Sequence, residues 1–175
     1  MVAGCCRASR TRSLIEMEAF QIFRFAAQLV AYALMAAMIL LVAIPWASLP
    51  DQVPTHFNAA GEVDDFGSRS TLLVIPLIGI AIFVLLSWAE RNPSKLNYSI
   101  KPTEENRNRL YRLGSDLALY LKVITTATLC YITYSVVQSA RGSEQGLGIA
   151  FLPVVLVLNL GLLIYVLWRM SRLAT

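Results

Sequence analysis

Four stretches of the chain carry no Asp, Glu, Lys or Arg: residues 25–50, 70–89, 123–140 and 145–168. A helix rising about 1.5 Å per residue needs roughly 18–25 residues to cross about 30 Å of hydrocarbon, and each stretch is of that length. A helix of a water-soluble bundle would repeat a charged face every turn or so. None of these does, and the pattern predicts an all-α integral membrane protein of four transmembrane helices in a bundle. The first stretch is too long for the apolar part of a cleaved signal peptide and starts late, after Arg24, so it is expected to remain as an anchor.

Composition agrees with a membrane protein. The 175 residues are 57% hydrophobic and only 15% charged, with a mean hydropathy of +0.59. Disorder is excluded, and an ordinary soluble domain would need more charge to cover its surface. Three cysteines with no CxxC pair support neither a disulfide framework nor a zinc site.

A net charge of +4 raises the question of nucleic acid, and the placement of the basic residues answers it. Thirteen of the fifteen fall before the first span, between the second and third, or after the fourth. Arg69 and Arg141 alone fall on the other side. By the positive-inside rule both termini and the central loop are expected in the cytoplasm. Six acids beside the thirteen bases give the inner face +7, and five acids beside two bases give the outer face −3. Phospholipid headgroups account for such an asymmetry, and nucleic acid is not needed.

The expected organisation is a cytoplasmic tail 1–24, a two-helix unit 25–89 with an ordered outer loop 50–69, a cytoplasmic segment 90–113, a second helical pair 114–168 and a tail 169–175. Residues 1–16 are polar and read as structureless, a translation extension or tag, with Met17 an alternative start. Cys5 and Cys6 there are candidate lipidation sites, weighed against plain exposed thiols. In the central segment Asn92-Pro93 and Lys101-Pro102 oppose helix. Thr103 is then expected to cap a helix with Glu104 and Glu105 in its first turn, running on into the third span.

Polar residues within the spans are few. Thr126, Thr133 and Gln138 mark the third as the most polar, and Asn159 sits near the middle of the fourth. An amide in hydrocarbon needs a partner, so Asn159 is expected to bond across to the third helix, with a polar translocation path as the alternative. Asp116 and Lys122 read as lying close enough to the cytoplasmic end to reach the interface.

The outer loop, LPDQVPTHFNAAGEVDDFGSR from Leu49 to Arg69, holds the only histidine. His56 with Glu62, Asp64 or Asp65 has the chemistry of a divalent-metal site or an acid/base pair. The structural alternative tucks His56, Phe57 and Phe66 onto the helix ends, with the acids capping turns and pairing with Arg69. A single histidine without a second His or Cys favours the structural alternative.

Leu49-Pro50, Val53 to Asn58, Gly61, Asp64, Arg69 and the later Pro76 together resemble the bacterial membrane-protein family known as domain of unknown function 1648. In that family an LPxxxPxHFxxxGxxD loop joins two spans, and the unit also opens SdpI-type bacteriocin-immunity proteins. Asn92-Pro93, Asn97-Tyr98 and Glu105-Asn106 are similar to the segment that follows it. The resemblance singles out Pro50, Pro54, His56, Phe57, Asn58, Gly61, Asp64 and Arg69 as a signature. It implies a non-enzymatic protein of the bacterial inner membrane, with both termini inside, whose outer loop recognises a peptide toxin or another membrane or envelope protein. No cofactor is expected, and no nucleotide-binding glycine loop, HExxH, GxSxG or CxxCH stands in the chain. The competing expectation is a small membrane enzyme or metal-dependent transporter built on His56, Glu62, Asp64 and Asp65.

Overall fold

The computed structural model describes residues 2–143 and 146–172, with side chains from Met17 onward. Glu144, the side chains of Cys5 and Cys6, and residues 173–175 lie outside the described residues. Four α-helices carry the chain: α1 (Val2–Ala43), α2 (Val74–Arg91), α3 (Arg107–Ala140) and α4 (Phe151–Ser171). All four are long and apolar enough to cross a membrane.

Helix α1 runs back through the segment expected to be structureless. The physical reason is local: between Cys5 and Ile44 no Gly or Pro interrupts the chain. It ends where Pro45 begins a tight turn, with Ser48 and Leu49 both donating to the Pro45 carbonyl. The start of α3 is also corrected. Thr103 and Asn106 bond reciprocally through their side chains and backbone N–H groups, so the cap falls at Asn106 and leaves Glu104 and Glu105 in the preceding turn. As expected, α3 continues without a break to Ala140.

Helix α3 is the centre of the bundle, packed along α1 on one side and α2 on the other. Ala31 and Met38 of α1, Gly79 and Phe83 of α2 and Leu119 of α3 form part of the buried seam. At Gly79 a side chain would come within 2.6 Å of the Met38 Cε, so the missing Cβ is what lets Met38 seat between helices. Helix α4 rests mainly on α3 and buries only Val166. Large apolar side chains turn outward on α1, α2 and α4, as a lipid-facing surface requires, whereas the central α3 exposes only Tyr131 and Tyr134 among its large hydrophobics.

The connection between α1 and α2 is a β-hairpin, which the sequence pattern did not predict. Strands β1 (Gln52–Phe57) and β2 (Val63–Ser68) pair antiparallel, with Gln52 opposite Ser68 and Val53 opposite Gly67. The register slips by one at Thr55 and slips back at Asp64. Two bulges therefore compensate each other. Val53 and Leu49 carry the hairpin into a core with Val42, Leu72, Val136 and Val137, against which Phe57 and Trp46 also pack.

Candidate functional site

Most of the signature residues build the hairpin. Asn58 accepts from the Ala60 and Glu62 N–H groups at 2.9 and 3.0 Å, and its own amide donates to the Glu62 carboxylate at 3.0 Å. This closes the turn, with Gly61 at φ +80°, a conformation that favours glycine. Pro54 is buried, in a strand position that spares it a ladder donor at the sheet edge. Arg69 ties the base: its guanidinium donates to the Trp46 and Leu49 carbonyls, both at 3.2 Å, lies 5.3 Å from the Trp46 ring and stands 3.9 Å from Asp51. Pro50 is exposed at the entry to β1.

The tip docks on the connection between α3 and α4. Leu147 N–H donates to the Gly61 carbonyl at 2.7 Å, and a Cβ on Gly61 would meet the Gly148 backbone at 2.6 Å. From α3, the Tyr131 hydroxyl donates to the Leu147 carbonyl at 3.0 Å, and its ring stacks on Phe151. Between tip and connection lies an open cleft of about 810 Å³, with Pro54, Glu62, Val63, Phe66 and Tyr131 among its walls. Phe66 is 57% exposed, far too open for a residue serving only the core, and the expectation that it tucks onto a helix end is corrected.

His56 and Asp64 are brought together by the paired bulges, 2.6 Å apart and both exposed to solvent. His56 thus also fails to pack on the helix ends, whereas Phe57 does. The other acids go elsewhere: Asp65 accepts from the Thr55 hydroxyl at 3.4 Å, and Glu62 is held by Asn58. Among the described residues no group of three or more His, Cys, Asp or Glu is placed to hold a metal. The four residues considered for a metal, His56, Glu62, Asp64 and Asp65, are therefore not gathered into one cluster: His56 and Asp64 meet, while Glu62 and Asp65 bond Asn58 and Thr55.

At the other end of the bundle stands a second constellation. Lys122, fully buried, donates to Glu90 at 2.7 Å, Gln28 at 2.8 Å and the Ser87 hydroxyl at 3.4 Å, and lies 5.2 Å from the Phe83 ring. Arg24 donates to Glu90 at 3.1 Å, to the Ser115 hydroxyl at 3.0 Å and to Asp116. Two cations and two carboxylates cancel, as enclosed charges must. The expectation that Lys122 reaches the interface is corrected: its partners on α1 and α2 hold it inside. A signal for this knot was present, since Arg24, Glu90 and Lys122 are the charges that bound three of the four uncharged stretches.

The polar residues deeper in the spans satisfy themselves locally. Asn159 donates to Val155 O at 2.8 Å on its own helix, so its expected bond to α3 is corrected. An amide one turn from a carbonyl finds that partner without a neighbour. Thr133 donates to Leu129 O and Gln138 to the Tyr134 hydroxyl, also within α3, while Thr126 is simply buried. On the connection from α2 to α3, Tyr98 donates to Pro93 O at 2.7 Å and lies against Gly114, where a Cβ would come 3.1 Å from its ring. Burial pushes the Tyr98 phenol above its ordinary value of 10.0, and the Tyr111 phenol beside it adds to the rise.

Fold and site define a class: a multi-helix membrane protein with a β-hairpin cap at one end of its bundle and a neutral charge knot at the other. Residues 33–80, which span most of α1's apolar half, the whole hairpin and the first part of α2, match the family described as Domain of unknown function (DUF1648). An uncharacterized protein of Archaeoglobus fulgidus is 30% identical over 115 residues, covering 58% of this chain and 63% of its own length. No solved structure matches.

Proposed function

We propose that this is a non-enzymatic, multi-pass protein of the bacterial inner membrane, with both termini in the cytoplasm, whose hairpin recognises a peptide toxin or envelope partner outside. The observation that carries this reading is the cleft between the hairpin tip and residues 146–148. It offers an apolar floor in Pro54, Val63 and Phe66 with one carboxylate, Glu62, at its wall. A few placed polar groups on an apolar concavity are the usual make-up of a recognition site. The orientation rests on the thirteen basic residues at the end away from the hairpin. Glu62 is the one charged side chain among the described residues that line the cleft, which suits a cationic peptide.

The test is survival. Cells expressing the chain, its Glu62→Gln and Phe66→Ala variants, or an empty vector are challenged with a panel of membrane-active cationic peptides. Protection by the parent that falls in both variants, at equal expression, is the expected outcome. Equal killing of all four strains by every peptide contradicts the proposal.

The competing reading, metal or acid/base chemistry at the outer loop, retains one specific observation, the 2.6 Å contact of His56 with Asp64. A bound metal near one per chain in the purified protein, lost in both His56→Ala and Asp64→Ala, would establish it over recognition.

A further inference from the structure

Three arginines at the knot end lack acidic partners among the described residues. Arg109 and Arg112 come from the first turns of α3, and Arg169 from the last turn of α4. They converge on a concave surface of about 480 Å³. Arg172 lines the same surface, its guanidinium 5.4 Å from the Trp168 ring. The one acid on the wall, Asp116, is already engaged by Arg24. Arg112 is steadied from below, 5.7 Å from the Phe20 ring.

This basic surface does not end in solvent. It shares Arg112, Leu113, Asp116 and Arg169 with a second groove of about 490 Å³ between α1, α3 and α4. The walls of that groove are mainly apolar and aromatic, with Phe20, Leu117, Tyr120 and Tyr165 among them. An array of cations opening into an apolar channel between helices matches a molecule with an anionic head and a hydrocarbon tail. A free phosphate would satisfy the arginines and leave the channel unused. It also lies beside the helix least covered by the rest of the chain, since only 6% of the apolar window of α4 is buried.

We infer that the Arg109–Arg112–Arg169 surface and the groove beneath it form a binding site for one anionic phospholipid, headgroup phosphate on the arginines and acyl chain between α1, α3 and α4. The bound lipid joins α4 to the bundle beside Val166, the one residue that α4 buries. The inference stands independently of what the hairpin recognises.

The full chain in detergent is titrated with phosphatidylglycerol or phosphatidylcholine, and lipid retained per chain is read by native mass spectrometry. One phosphatidylglycerol should bind in clear preference to phosphatidylcholine. Removing two charges with Arg112→Gln/Arg169→Gln should weaken retention about ten- to thirtyfold, since each cation near an anionic headgroup is worth about 1 kcal/mol. Arg169→Gln alone should fall between. Arg91→Gln/Lys101→Gln, which removes the same charge from the same end outside the grooves, should leave retention unchanged. Equal loss in the two double variants, or equal binding of phosphatidylcholine, would overturn the site. Displacement of the lipid by millimolar glycerol phosphate would also overturn it, by showing a small-anion site in its place.

Discussion

The hairpin and the charge knot use polar residues in opposite ways. At the hairpin, polar and charged groups stay exposed, and folding is left to a proline, an asparagine turn, a left-handed glycine and one arginine tied to backbone carbonyls. At the knot, Glu90 and Lys122 are buried, Arg24 and Asp116 half-buried, and the four are satisfied by one another together with Gln28, Ser87 and Ser115. The exposed end is free to meet a partner, because its His56, Asp64 and Phe66 are not needed for packing. The enclosed end is spent on holding α1, α2 and α3 in register. On the proposed reading, recognition and stability are separated along the bundle axis, and substitutions should separate them too.

The largest effect should come from breaking the knot. Lys122→Met leaves Glu90 buried with only Arg24 to offset it and is expected to cost about 3–5 kcal/mol, because an enclosed charge loses its partner. Unfolding of the detergent-solubilised protein measures this. Adding Glu90→Gln should restore part of the loss, and the comparison fails if Lys122→Met unfolds like the parent.

Gly61→Val should act next most strongly and only at the hairpin. It forces a β-branched residue to φ +80° and into the Gly148 backbone, at an expected cost of about 1–3 kcal/mol. Faster hydrogen exchange in residues 52–68 with unchanged exchange in α3 would mark the effect as local. Spread of the change through α1 to α3 would show that the two ends are coupled rather than separate.

Asn159→Leu should change stability by less than about 0.5 kcal/mol, since the amide bonds its own helix and holds no other. A loss well beyond that would reinstate a bond between helices. The smallest expected effect is on pH. The folded chain holds the Tyr98 proton more tightly than the unfolded chain does, so this contribution is intact below about pH 10 and is lost as pH rises through the higher folded value. Tyr98→Phe should flatten that alkaline decline, measured as stability against pH.

Much of the bundle was legible in the sequence because hydrocarbon imposes a simple rule. A span without charge has one stable form, and the four uncharged stretches declared it. The hairpin was harder to read. Its strands lack regular alternation, since the bulges at Thr55 and Asp64 break the two-residue period and Pro54 argues against a strand. The resemblance singled out residues of this loop without giving their roles, and Asn58, Gly61 and Arg69 among them shape the hairpin. The knot was invisible to a reading of one span at a time, because its members lie 92 residues apart between Arg24 and Asp116. It becomes visible only when the charges that bound successive spans are set beside one another. Asn159 misled for a different reason: a polar group in lipid needs a partner, but periodicity does not say whether that partner is on a neighbouring helix or one turn away.

The central claim is that the hairpin faces outward as a recognition surface while the knot end faces the cytoplasm. With the native cysteines replaced by serine, a membrane-impermeant thiol reagent applied to intact cells should label Ala60→Cys and leave Ser99→Cys untouched until the cells are opened. Labelling of Ser99→Cys in intact cells, with Ala60→Cys protected, would place the hairpin inside and contradict the account.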